Sequence, residues 1–232
     1  MYFRNLRKLV TMASLKTRFQ ATIEGAGSRV FLLSGLEDEK REDLAVKIRE
    51  LGGVYVESEA FRPHCTHIIC GKVTRSEKFL GGCATGRWVL HPEYVTVSSE
   101  KGGWEAEENY EWANYATPDN KQMVDSARRW RFHAEVYQTL AFSDWKTAVV
   151  VPGNKKSIIY KRLLISGGAE VYNLKLPVKN PGKVMNLLTF VFVSERLAVQ
   201  VCDLMEYGIL CLRPEYIGDY LVKVHTFVYT RS

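Results

Sequence analysis

Gly86-Arg-Trp-Val-Leu-His-Pro-Glu-Tyr-Val95 returns late in the chain as Gly208-Ile-Leu-Cys-Leu-Arg-Pro-Glu-Tyr-Ile217. Two further echoes follow the same order: Leu51-Gly-Gly-Val54 with Ser166-Gly-Gly-Ala169, and Thr66-His-Ile-Ile69 with Thr189-Phe-Val-Phe192. Three matches in one order constrain the fold tightly, because a duplicated unit has to fold the same way twice. Two copies of one α/β domain of ~90 residues each account for the length of 232 residues.

The elements of the first copy follow from periodicity. Val30–Leu33 is a short, continuous apolar run, as in a strand buried on both faces. A helix is expected over Glu37–Leu51: after the charged opening EDEKRED, Leu44, Ile48 and Leu51 fall on one stripe with Ala45 beside them. Gly52-Gly53 then suits a left-handed C-terminal cap. Val54–Val56 and Thr66–Cys70 read as the next strands, and a helix is expected from about Arg75 to Thr85, ended by Gly86. Trp88–Leu90 is a short strand leading to Pro92 in the first turn of another helix. Strands alternating with helices give an α/β unit with a small, largely parallel sheet of four strands flanked by helices.

The resulting division is a leader over 1–28, a first repeat over 29–112, a linker over 113–144 and a second repeat over 145–232. The linker is polar from Asn114 to Lys121, then carries Ala127, Trp130, Ala134 and Tyr137 at helical spacing, so its helix is expected to pack against both repeats. Residues 1–28 hold five basic side chains and the single acid Glu24. Such a stretch resembles a mitochondrial presequence, but a linker from a longer protein or appended sequence is the favoured reading. With that excess set apart, only +2 of the net charge of +6 remains for the other residues, which argues against a general DNA-coating surface. No apolar run approaches the ~20 residues of a membrane span. Five scattered cysteines (Cys65, Cys70, Cys83, Cys202, Cys211) are not a disulfide framework and point to a reducing compartment.

The chemistry concentrates between Val30 and Lys78. A phosphate monoester carries nearly two negative charges and needs short donors, an approachable backbone and a fixed cation. Ser34 offers a hydroxyl where the first strand ends, and Gly35 has no β-carbon to keep an oxygen from its N–H. Thr74-x-x-Glu77 has capping-box spacing, which predicts a helix starting at Arg75, with Arg75 and Lys78 on one face of its first turn. Its dipole would add attraction for an anion. Arg41, one turn ahead of Leu44 on the core-facing stripe, is expected to aim its planar fork at the sheet's end. Taken singly, each is an ordinary surface group. Their joint placement makes the candidate site.

The runs FLLSGL, LGGVYVES, CTHIIC, RSEKFLGGCATGRWVLHPEY and CLRPEYIGDYL resemble the BRCT repeat, in tandem, over residues ~29–232, with the Gly-Gly turn and Trp88 as the best single marks. The resemblance implies a non-enzymatic phosphoserine/phosphothreonine-binding module of a nuclear scaffold in the DNA-damage checkpoint, replication or repair. In that family Ser/Thr-Gly after the first strand and a Lys on the second helix hold the phosphate, which here are Ser34, Gly35 and Lys78. The same resemblance carries Arg41 and Arg75 into the pocket and sets Arg162 facing the peptide from the second repeat. It implies a phosphorylated protein partner, such as a DNA-repair helicase or checkpoint factor. Two alternatives stay open: a module for DNA 5′ phosphate, with weak DNA association, and a phosphate-independent scaffold.

The second copy departs from the phosphate pattern. Its first strand, Thr147–Val151, runs into Pro152-Gly153, and its second helix, near Leu197–Glu206, carries no lysine. One pocket is therefore expected, in the first repeat. His64, Cys65, His67 and Cys70 crowd together, but strand alternation separates them and no second ligand pair follows, so no metal is expected. Cys83 is expected to be a small helix-packing residue, and Trp104, Trp112 and Trp130 core groups near the domain junction. Without a GxSxG, P-loop, GxGxxG or HExxH motif, neither a catalytic residue nor a cofactor is assigned.

Overall fold

The computed structural model describes residues 29–223. The leader expectation for residues 1–28, and the last part of the second repeat beyond Lys223, lie outside the described residues. The first unit is a four-stranded parallel sheet of β1 (Val30–Ser34), β2 (Val54–Tyr55), β3 (His67–Cys70) and β4 (Trp88–Leu90), in the order β2-β1-β3-β4. The second repeats it with β5 (Lys146–Val150), β6 (Glu170–Tyr172), β7 (Phe190–Val193) and β8 (Leu210–Leu212), in the order β6-β5-β7-β8.

Helices α1 (Asp38–Glu50) and α3 (Glu93–Lys101) cover one face of the first sheet. There Leu44, Ala45, Ile48, Tyr94 and Val95 close on Phe31, Leu33, Ile69 and Leu90. Helix α2 (Glu77–Ala84) covers the other face, against Leu32, Ile68, Cys70 and Val89. The continuous apolar reading of β1 and β3 is therefore correct: both strands are covered on both faces.

The linker helix α4 (Lys121–Tyr137), with α5 (Asn154–Ser166) and α7 (Tyr216–Val222) of the second unit, meets α2 at the junction. One buried cluster runs through it, from Phe79, Leu80 and Ala84 to Trp130, Phe142, Leu163 and Leu221. Trp130 Nε1 donates to the Leu221 carbonyl at 2.7 Å, so the linker helix is tied to the second unit as well as the first. Burying each such side chain contributes about 1.5–3 kcal/mol, enough to fix one unit on the other. Cys83 packs at this junction 3.8 Å from Ser126 Oγ of α4.

Four sequence expectations are corrected. Helix α2 starts at Glu77, not Arg75, because Ser76 is the N-cap: its Oγ accepts from Phe79 N–H at 3.3 Å. The Glu77 carboxylate does not turn back to close a capping box; it accepts from Phe61 N–H and from Arg162. Tyr137 is exposed, since the apolar stripe of α4 leaves the junction at its last turn. In place of one helix over Leu197–Glu206 there is a 3-10 stretch, Glu195–Val201, and then the short α6 (Asp203–Glu206), with Val201 and Leu204 turned to the sheet. Trp104, finally, stacks on Phe31 and Tyr94 in the outer core of the first unit, away from the junction.

Candidate functional site

The parallel register brings Ser34 level with Cys70 at the C-terminal end of the first sheet, where the loops after β1 and β3 meet. Gly35 turns the chain there with φ +62°, and Lys72 lies directly over it: a β-carbon on Gly35 would stand 3.0 Å from both Lys72 Cγ and Lys72 O. Gly71 N–H donates to Ser34 O at 2.9 Å and pins this turn. The N-terminus of α2 arrives beside it, with Ser34 Oγ and Ser76 Oγ 3.4 Å apart.

Lys78, in the first turn of α2, reaches under the end of β1 and donates from Nζ to the Leu33 carbonyl at 2.7 Å. Burial pulls its ammonium below the ordinary lysine range; Glu59 opposes this and nearby Arg41 adds to it. Among the described residues no carboxylate lies within ion-pair distance of Lys78. Arg41 folds back over the loop, donating to the Leu36 carbonyl at 3.0 Å and to Asp38 Oδ1 at 2.7 Å. Two hydroxyls, a left-handed glycine, a half-buried ammonium and a guanidinium thus converge on one end of the sheet.

Arg75 and Arg162 stand apart from this cluster, at the junction of the units. Arg75 precedes the helix, and its Nη1 donates to Asp219 Oδ1 of α7 at 2.6 Å. Arg162, on α5, donates to Glu77 Oε1 of α2. The two ion pairs cross-link the units in opposite directions. Between them opens a cavity of about 290 Å³, floored by Leu80, Ile159 and Leu163, with Lys156, Tyr160 and Glu215 at its sides. Arg75 lines it and is chain neighbour to Ser76 of the cluster, so a chain leaving the cluster along Arg75 enters the groove.

Sequence reasoning named Ser34, Gly35, Arg41, Arg75, Lys78 and Arg162 but missed Ser76, Lys72, Glu77 and Asp219. Ser76 had a visible signal, a serine two residues before the key lysine. The others take their roles from partners far along the chain. The second unit has no counterpart of the cluster: β5 ends at Val150, and Val151-Pro152-Gly153 follows without a hydroxyl. Cys65 and Cys70 are buried, which pushes each thiol up to about 12. Among the described residues no three His, Cys, Asp or Glu side chains are grouped to hold a metal. No helix of the described residues is long and apolar enough to cross a membrane.

Comparison with known proteins agrees with this architecture. Residues 26–98 match the BRCA1 C Terminus (BRCT) domain family. The chain is 30% identical over 206 residues to the SMC5-SMC6 complex localization factor protein 1 of Mus musculus, covering 86% of this chain and 19% of that protein. The Homo sapiens protein of that name is 31% identical over 206 residues, covering 86% and 18%. This chain thus spans less than a fifth of these relatives. Among solved structures, the BRCT5-BRCT6 domains of S. pombe Brc1 superpose with a TM-score of 0.61 at 13% identity, over 86% of this chain and 95% of that one. At that identity the likeness carries the fold alone. The first unit is a BRCT domain, and the two units together have the tandem BRCT architecture.

Proposed function

We propose that the chain is a reader of phosphorylated protein segments, with Ser34, Gly35 and Lys78 holding a phosphoserine or phosphothreonine. The reading rests on Lys78. A half-buried ammonium that donates to the Leu33 carbonyl and has only Glu59, beyond ion-pair distance, as its main opposite charge has lost hydration without a close counter-ion, and an arriving dianion supplies one. The Ser34 and Ser76 hydroxyls and the Gly35 N–H offer neutral donors around it. Arg41 adds a second cation at the loop. Arg75 lines the path of the residues that follow the phosphate, in the groove between the units, and Arg162 stands behind it, holding the groove's Glu77 from the second unit.

BRCT domains are generally non-catalytic interaction modules, and a reader of phosphorylated segments is a function of that kind. Runs of this chain resemble the C-terminal BRCT pair of DNA topoisomerase II-binding protein and, next to it, that of the SMC5-SMC6 complex localization factor; the relatives found by comparison include the second. We assign this chain to the class both represent: a nuclear scaffold of the DNA-damage checkpoint, replication or repair that captures a phosphorylated partner, such as a repair helicase or checkpoint factor.

The test is an oriented peptide library with a fixed phosphoserine or phosphothreonine and an unphosphorylated counterpart. Selection of phosphopeptides, with preference at positions after the phosphate, supports the reading. Binding of 5′-phosphorylated DNA with steep salt dependence and no phosphopeptide selection would replace it with the DNA reading. Equal binding of both libraries would leave a phosphate-independent scaffold.

A further inference from the structure

We propose that the outer edge of the second sheet, strand β8, takes an extended segment of a partner protein as an added antiparallel strand, one carrying an aromatic next to an acidic residue. This surface lies outside the phosphate cluster and the groove. The duplicated fold supplies the template. In the first unit the corresponding edge, β4, is covered by the chain itself: Leu90 bridges Glu111 in antiparallel sense, and His91 N–H donates to the Tyr110 carbonyl at 2.8 Å. The covering segment seats an aromatic and an acid. Tyr110 packs edge-on against Tyr94 with ring centres 5.7 Å apart, and buried Glu111 accepts from Arg128 and Arg131. Leu90 is completely buried as a result.

The repeated run places Leu210, Leu212, Arg213 and Tyr216 where the first unit has Trp88, Leu90, His91 and Tyr94. Here the edge is bare among the described residues. β8 pairs only with β7, Leu210 is 52% exposed, Leu212 and Tyr216 are only partly buried, and Arg213 is exposed with no carboxylate paired to it. Tyr207, just before β8, is exposed as well, with its ring beside the Pro181–Lys183 turn. An open edge with unpaired backbone groups is a template for strand addition. Tyr216 stands where Tyr94 seats the aromatic; the template's acid is held by Arg128 and Arg131 of α4, and at the second edge the exposed Arg213 is the cation beside that seat. The wider charge agrees, since residues 145–223 hold eleven Lys and Arg against six Asp and Glu.

The probe is a synthetic peptide with the sequence of residues 106–116, the segment that covers β4, together with a version in which its Tyr-Glu pair becomes Tyr-Lys. Titration is followed by amide NMR. Saturable shifts at Cys211 and Arg213, weakened about tenfold by the Lys peptide and by Leu210→Lys in the protein, support the proposal. Phosphopeptide affinity of Leu210→Lys should be unchanged, which shows the variant folded and keeps this outcome separate from the pocket's. Shifts that do not saturate, or that map elsewhere, would overturn it. So would a dimer abolished by Leu210→Lys, which gives the edge to a second copy. So would edge amides already protected in the free chain and freed by deleting residues 224–232, which gives the edge to the chain's own end.

Discussion

Gly35→Ala tests the pocket floor, and Gly52→Ala is its control. Both glycines are left-handed, at φ +62° and +77°. Holding an alanine there costs about 1–2 kcal/mol, and the reduced freedom of the unfolded chain returns ~0.4–1 kcal/mol. At Gly52 nothing lies within 4 Å of the added β-carbon, so a net loss of about 0.5–1 kcal/mol is the whole effect. At Gly35 the β-carbon meets Lys72 Cγ and Lys72 O at 3.0 Å. The side-chain atom can swing aside. The carbonyl cannot move cheaply, because the Gly71 N–H bond to Ser34 O holds the turn. The crowding adds about 1 kcal/mol or more, for a total of roughly 1.5–3 kcal/mol. Urea denaturation of both variants reads the difference in midpoint at constant slope. Phosphopeptide titration should show loss for Gly35→Ala alone, since its new methyl group pushes on Lys72 and shifts the turn that presents the Gly35 N–H. Equal midpoints for the two variants, or unimpaired binding by Gly35→Ala, would refute the account of this turn.

Glu111→Ala should cost about 1.5–3 kcal/mol in urea denaturation, because buried Arg131, held over the Trp88 ring, loses the buried one of its two carboxylates and keeps only exposed Glu135; a loss below ~1 kcal/mol would show the clamp to be incidental. Acid should loosen the first unit through Glu107 and His67. Burial alone would raise the Glu107 carboxyl, but hydrogen bonds from His67, its own backbone and Arg29 outweigh it and hold it at about 2, below its ordinary 4.5. Burial also depresses His67 below its ordinary 6.5, only partly offset by Glu107. Both folded values are depressed, so both contributions are present above the unfolded values and fade as pH falls: His67 from 6.5 downward, Glu107 from 4.5 toward 2. Thermal midpoints should fall through both windows, and Glu107→Gln should flatten the lower one.

Much of the fold was legible because the physics behind it is local. The apolar runs of β1 and β3 read as strands covered on both faces, and the Leu44–Ile48 stripe read as the buried side of α1. The repeat then made the second sheet follow from the first. The start of α2 was not legible. Thr74 and Ser76 are both good caps, and the choice fell to Ser76 because Glu77 is engaged by Phe61 and, across the junction, by Arg162. Arg75 was misplaced for the same reason: its partner Asp219 lies in the other unit, 144 residues away. Ser34, Gly35 and Lys78 were accessible to sequence reasoning because each follows closely on a strand end or helix start. The groove was not, since it exists only once two units have docked.

The central claim is that the half-buried Lys78 ammonium, with no carboxylate in ion-pair contact, takes a phosphate. The most direct measurement is calorimetric titration of the best library phosphopeptide and its unphosphorylated twin into wild type and Lys78→Met. Wild type should prefer the phosphorylated peptide, and Lys78→Met should lose ~2–4 kcal/mol toward it while leaving the twin unchanged. Equal affinity of wild type for the two peptides, or full phosphate preference retained by a folded Lys78→Met, would contradict the account.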